Sequence, residues 1–218
     1  MPRPLRLEFP GAIYHVTARG TRQEAIFVDD RDRASLLAIL SQALKACDAH
    51  VFAYCLMGNH YHFVVQTRQA NLAVLMRRVN SLYCLTFNRR HGRTGHVFEG
   101  RYKALHVDRD AYLMEVCRYV DLNPVRAGLV DLAEQWAWSS YRAHAGLVPS
   151  PRWLATTELH GVLTGQDCPD GAAFADACQR YADWVDAGRG VPLWRSSLRQ
   201  GLYLGDDAFI ELVQRSGR

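Results

Sequence analysis

Two histidines separated by one residue, His60 and His62, stand just before an apolar run, Phe63, Val64 and Val65. In a strand, alternate residues share a face, so both imidazoles point the same way, with Cβ atoms about 7 Å apart. Two imidazoles so placed can share a divalent ion. Further along, Tyr119 and Asn123 are four apart within Arg118-Tyr-Val-Asp-Leu-Asn-Pro-Val-Arg126, and hence on one helical face if the helix reaches Asn123. A phenol with a pKa of about 10 is a poor nucleophile near neutral pH. Beside a metal that polarises a phosphodiester, it can attack phosphorus and form a phosphotyrosine ester, and Asn123 could add an amide-oxygen ligand. A bare His-x-His is more often a pair of surface or satisfied core histidines, and a lone tyrosine is more often core. The pairing of the two motifs carries the argument.

The elements that must position these residues can be read around them. Apolar runs at 51–57 and 63–65 flank Gly58-Asn59, a hairpin signal. Residues 12–18 alternate as a first strand closed by Arg19-Gly20, and a short extended piece is expected at 25–28. A helix starts near Asp29-Asp30 and runs to about residue 48, with Leu36, Leu37, Leu40, Ala43 and Leu44 at helical spacing. Leu72, Leu75, Met76, Val79, Leu82, Tyr83 and Phe87 make a stripe for a second helix over about 70–90. Residues 97–107 read as a strand or strand pair. Residues 108–122 form a third helix capped by Asp108 or Asp110, with a break at Asn123 because Pro124 follows. The order β-α-β-β-α-β predicts an α+β fold, a ferredoxin-like antiparallel sheet with helices on one face. The other face is expected to be open and to carry His60 and His62. Pro149-Ser-Pro151 reads as a linker, and 153–163, 172–187 and 206–213 as short helices. Residues 1–145 are therefore expected to be the catalytic domain, and 146–218 a mostly helical C-terminal extension with no assigned role.

With 49% apolar and 22% charged residues, the 218-residue chain can bury a substantial core. It has no run of about 18 apolar residues and no apolar leader near its N-terminus, so neither a membrane span nor a secretory signal is expected. Six cysteines without C-x-x-C spacing suit a reduced, cytoplasmic protein. The charge is uneven. Residues 1–130 hold 18 Lys+Arg against 11 Asp+Glu, net +7, and residues 131–218 hold 8 against 11, net −3. Residues 77–103 carry seven basic residues and one acid, Glu99. Such an excess suits a polyanion, since phosphate contacts dominate nucleic-acid affinity, although a solvated basic helix gives the same pattern. Arg77, Arg78, Arg89, Arg101 and Lys103 are the candidate phosphate contacts.

Tyr54-Cys-Leu-Met-Gly-Asn-His-Tyr-His62, followed by Arg118-Tyr-Val-Asp-Leu-Asn-Pro-Val-Arg-Ala-Gly128, resembles the single-tyrosine HUH transposases of the IS200/IS605 type, and most of all the REP-associated tyrosine transposases. The resemblance spans about residues 5–145 and includes Gly95-His-Val-Phe-Glu-Gly-Arg-Tyr-Lys103 and Trp136-Ala-Trp-Ser-Ser-Tyr141. It implies a ferredoxin-like fold, Mg²⁺ or Mn²⁺ on His60, His62 and Asn123, and Tyr119 as a nucleophile that becomes linked to a 5′ phosphate. It also implies nicking and rejoining of single-stranded DNA, recognition of palindromic DNA hairpins, a nucleoid location, and a monomer or homodimer. Two other readings compete. One is a hairpin-binding module that has lost its chemistry. The other, weaker, is a metallohydrolase, which would need a carboxylate near the histidines.

Overall fold

The computed structural model describes residues 7–165, 171–191 and 198–216. Strand β1 (Ile13–Arg19) leads to helix α1 (Asp30–Ala46), the hairpin β2 (Ala49–Leu56) and β3 (His60–Thr67), helix α2 (Leu72–His91), strand β4 (Lys103–Val107) and helix α3 (Arg109–Asp121). The four strands lie in the order β2-β3-β1-β4, and each adjacent pair is antiparallel. This is the predicted ferredoxin-like arrangement.

Local chemistry sets the helix ends. Asp29 caps α1, accepting from the backbone N–H groups of Arg31 and Asp32 at 3.0 and 3.3 Å. Asp108, not Asp110, caps α3. Gly92, with φ of 60°, ends α2 in the left-handed conformation that favours glycine. Residues 97–102 form bends and one isolated bridge, Gly20 to Phe98, so the strand expected over 97–107 shrinks to β4. Gly100, with φ of 74°, interrupts the extended run just before β4. The extended piece expected at 25–28 is not a strand either. Its backbone is held from outside the sheet, by Ile26 N–H donating to Gly58 O at 3.1 Å and by the Tyr83 hydroxyl donating to Ile26 O.

One face of the sheet carries Tyr14, Val16, Tyr61, Phe63 and Val65, packed under Leu36 and Leu40 of α1 and Leu75, Met76, Val79 and Tyr83 of α2. The opposite face also carries helices, which corrects the expectation of helices on one face only, and only the part around His60 and His62 is left uncovered. Ile13, Phe52, Val64 and Val107 lie there beneath Leu113, Val116 and Val120 of α3. The same core takes in Leu159 of α6 (Thr156–Thr164), and Tyr181 and Val185 of α7 (Gly171–Asp186). The physical reason lies in β2, whose residues 51–56 are apolar without alternation and are all buried. A strand that is apolar on both sides needs cover on both sides.

Between these helices come the short helices α4 (Asn123–Arg126) and α5 (Tyr141–His144). After the Pro149-Ser-Pro151 stretch the chain docks on the edge of β2, with Val51 N–H donating to Trp153 O at 3.1 Å and Ala155 N–H to Val51 O at 2.8 Å. The C-terminal extension is not purely helical. Strands β5 (Leu198–Arg199) and β6 (Tyr203–Leu204) extend the sheet to β2-β3-β1-β4-β6-β5, β6 running parallel to β4, before α8 (Asp207–Ser216). Two-residue strands are too short to leave a period in the sequence. The five described cysteines are unpaired, as expected, and Cys168 lies outside the described residues.

Candidate active site

The site forms where α3 leaves part of its sheet face uncovered. On β3, His60 and His62 turn to that face while Tyr61 and Phe63 enter the α1–α2 core. Strand β1 lies beside β3 with Thr17 opposite His62, Arg19 opposite His60 and His15 opposite Val64. His15, Thr17 and Arg19 therefore share the histidine face. Beyond β1, Lys103 stands opposite Thr17, and Leu105 opposite His15. Together with Glu99, Arg101, Tyr119 and Asn123, these residues line a cleft of about 710 Å³.

The aromatic rings in the cleft are locked together. The His15 and His62 rings stack with centroids 5.2 Å apart and planes 13° from parallel. His15 Nε2 and His62 Nδ1 share a hydrogen bond of 2.9 Å. The Tyr119 ring meets both edge-on, 5.8 Å from His15 and 5.7 Å from His62. His60 completes the group, 5.0 Å from His62 and hydrogen-bonded through Nδ1 to Asn59 Oδ1 at 2.7 Å.

Each imidazole is held neutral. Burial, followed by the charge on Arg19, lowers His60 from its ordinary value to about 4. Burial brings His15 to about 4. His62 is pushed well below its ordinary value by burial first, then by His15, His60 and Arg19. Neutral imidazoles keep a bare ring nitrogen, the form that metals bind. His62 Nε2 is buried without a hydrogen-bond partner, and both His60 and His62 have their Nδ1 atoms already engaged.

The end of α3 shapes the other wall. The helix closes at Asp121, and α4 begins at Asn123 with Pro124 in its first turn, so the break expected at Asn123 falls one residue earlier, at Leu122. Asn123 Nδ2 donates to the Tyr119 carbonyl at 3.0 Å. That bond satisfies a carbonyl near the helix end and leaves Oδ1 as the amide atom available to a ligand. Among the described residues, no group of three His, Cys, Asp or Glu side chains is placed to hold a metal ion. A set of two imidazoles and one carboxamide falls outside that description.

The family model for IS200-like transposases matches residues 9–123, more than half of the 218-residue chain. The chain belongs to the IS200-like transposase family. The family's matched segment runs from just before β1 to Asn123, and so includes both histidines and the tyrosine. No curated protein sequence matches. A solved REP-associated tyrosine transposase bound to a REP hairpin superposes with a TM-score of 0.58 at 15% identity, covering 79% of this chain and 96% of that one, and shows the same fold. A tRNA(His) guanylyltransferase from Saccharomyces cerevisiae aligns with a TM-score of only 0.41 at 9% identity, over 87% of this chain and 85% of that one.

In this transposase-family chain the predicted site residues separate into two groups. His60, His62, Tyr119, Asn123, Arg101 and Lys103 meet in the cleft. Arg77, Arg78 and Arg89 do not; they are exposed on α2, which packs against the opposite face of the sheet. Arg90, from the same basic run, is held in the fold by ion pairs to Asp29 and Asp32. Sequence reasoning passed over His15, Thr17, Arg19 and Glu99. One signal for His15 was visible, a titratable ring in the middle of an otherwise apolar and alternating strand.

Proposed function

We propose that the protein is a metal-dependent DNA strand transferase that uses Tyr119 as nucleophile on single-stranded or hairpin DNA. One observation carries the reading: the Tyr119 ring stands edge-on against the His15–His62 pair within a single chain, in a cleft that also holds Asn123, Arg101 and Lys103. The reading needs no second subunit to supply the tyrosine, and a monomer suffices. The hairpin in the superposed transposase suggests the substrate class, and the REP-associated branch of the family is the one proposed for this chain.

His60 and His62, through their Nε2 atoms, and Asn123, through Oδ1, would hold Mg²⁺ or Mn²⁺. The orphaned Nε2 of His62 and the neutral state of both rings fit such a group. When bound, the ion supplies charge neutralisation on the nonbridging phosphate oxygens. The residues of the chain do the rest. Arg19, Arg101 and Lys103 draw the phosphate backbone into the cleft. The Tyr119 oxygen attacks phosphorus and releases its proton to solvent. The bond from phosphorus to the 3′ oxygen breaks, and that oxygen takes up a proton as a free hydroxyl. The DNA 5′ end stays esterified to Tyr119, so the reverse attack by a 3′ hydroxyl restores a phosphodiester without other input.

The test is to incubate hairpin oligonucleotides with the protein and Mn²⁺, then separate the products under denaturing conditions. A protein–DNA adduct is expected, and it should vanish in Tyr119→Phe while hairpin binding persists. Tyr112→Phe and Tyr102→Phe should still form it. Hairpin binding with neither nicking nor adduct would favour a binding module without chemistry. Nicking at the normal rate in Tyr119→Phe would assign the attack to another group.

A further inference from the structure

We propose that His15 is a positioning residue for the metal site: its Nε2 accepts the Nδ1 proton of His62 and so fixes His62 in the tautomer whose bare Nε2 faces the cleft. The inference rests on the metal reading above and deepens it. The two ring nitrogens are 2.9 Å apart, both side chains are buried, and the rings are nearly parallel. Only two proton arrangements are possible for a bond between neutral imidazoles. If His15 donated, His62 would carry its own proton on Nε2 and have no lone pair there. If His62 donates, Nε2 is the bare nitrogen, and as an atom with no hydrogen-bond partner in the protein it is open to a ligand. The second arrangement matches His60, whose Nδ1 is within hydrogen-bonding distance of the amide oxygen of Asn59. In both histidines the Nδ1 proton is then given to a neighbour and Nε2 is kept for the ligand. Metal-bound histidines ordinarily have such a partner, and losing one costs about 10- to 100-fold in metal affinity.

The strand register explains why this partner comes from β1. Thr17, directly opposite His62, has no acceptor ring, whereas His15 lies diagonally across from His62 on the same face. A diagonal pair on adjacent strands is within reach of long or aromatic side chains. The His15 ring also forms half of the surface against which Tyr119 stands. One residue thus touches both the proposed ligand and the proposed nucleophile.

The experiment uses ¹⁵N-labelled full-length protein free of metal, followed by Mn²⁺ titration in a calorimeter. In the unaltered protein the ¹⁵N shifts of His62, assigned by its loss in His62→Gln, should report protonated Nδ1 and bare Nε2. His15→Phe keeps the ring volume without an acceptor. It should give a mixed tautomer at His62 and a loss of Mn²⁺ affinity of about 10- to 100-fold. His15→Gln places an amide oxygen near the Nε2 position and should recover most of that affinity, which a purely structural role would not predict. If His15→Phe fails to fold, the tautomer in the unaltered protein and the affinity of His15→Gln still decide. A proton on His62 Nε2 in the unaltered protein, or unchanged Mn²⁺ affinity in a folded His15→Phe, overturns this inference alone. Absence of Mn²⁺ binding by the unaltered protein overturns the metal reading, and this inference with it.

Discussion

Replacing Asp121 with Asn should change how stability depends on pH. Asp121 is fully buried at the end of α3, where its two oxygens accept from the Ser140 hydroxyl at 2.6 Å and the Tyr181 hydroxyl at 2.7 Å. Burial is the largest influence and pushes its pKa from 3.8 up to about 7, against the pull of those two hydroxyls and of the Tyr141 backbone. The titratable groups around it, Cys55, Cys117, Tyr54, Tyr141 and Tyr181, are all raised above their ordinary values and stay neutral through this range. Because the folded value is raised, the contribution to stability is complete below about pH 4 and is lost as pH rises through about 7. Between those limits the slope is about −1.4 kcal/mol per pH unit, which integrates to about 4 kcal/mol. The cleft histidines act in the opposite sense. His15 and His60 are lowered to about 4, so their contribution grows as pH rises towards 6.5 and masks the effect in either protein alone. The quantity to measure is therefore the difference between the unaltered protein and Asp121→Asn. Urea unfolding followed by tryptophan fluorescence at several values from about pH 4.5 to about pH 7.5 gives that difference. It should shift towards the Asn variant by about 3 kcal/mol across this range. A difference that stays constant would refute the reasoning, because Asp121 would then titrate at the same pH folded and unfolded.

Two other outcomes follow from the site. His62→Ala should abolish Mn²⁺ binding and adduct formation while leaving hairpin binding in place, and EDTA should do the same to the unaltered protein; full nicking in EDTA would exclude the metal reading. Replacing both Arg101 and Lys103 with Ala should reduce binding and nicking together, and flatten the salt dependence of single-strand binding by about 1.4, from two phosphate contacts at about 0.7 each. The Arg77→Ala, Arg78→Ala pair, on the opposite face, should weaken hairpin binding without altering the nicking rate of bound DNA or the Mn²⁺ affinity, and unchanged binding would mean that this face of α2 is merely solvated.

Particular residues show which features could be read from the sequence. The Gly58-Asn59 turn and the alternation in 60–65 fixed the faces of β3, so His60 and His62 were placed together correctly. Pro124 marked the helix break, and the four-residue spacing brought Tyr119 and Asn123 to one cleft. Regular periods made these features readable. His15 was harder to assign because its role depends on which strand lies beside β3 and in what register, and neither is encoded locally. The cover over the second sheet face was signalled by the unbroken apolar run 51–56, but its source, α3 with α6 and α7, is a matter of tertiary contact. The basic run 77–103 is divided by the fold for a similar reason. Its residues are close in sequence, yet α2 and β4 lie in different parts of the fold. Glu99 was likewise invisible as a cleft residue, because a bend and not a strand carries it.

The remaining residues of the tyrosine motif explain how a short helix can hold Tyr119 still. Tyr119 and Asn123 face the cleft, and three of their neighbours bind the C-terminal chain. The Arg118 guanidinium lies 4.2 Å from the Trp184 ring and pairs with Glu115 at 2.6 Å. Asp121 takes the Tyr181 hydroxyl, and Arg126 donates to the carbonyls of Gly188 and Val191 at 3.2 and 2.9 Å. Gly188 is required by this packing, since a Cβ there would stand 2.5 Å from Arg118 Cδ. Arg118 and Asp121, three apart, share a face of α3 distinct from that of Tyr119, and Arg126 reaches the same C-terminal chain from α4. A single stretch of nine residues thus carries the proposed chemistry on one side and its own anchorage on the other. The anchorage comes from residues 181–191, well beyond the segment that matches the family model. It follows that α7 shares one core with the tyrosine helix, and that the position of Tyr119 depends on parts of the chain remote from it in sequence.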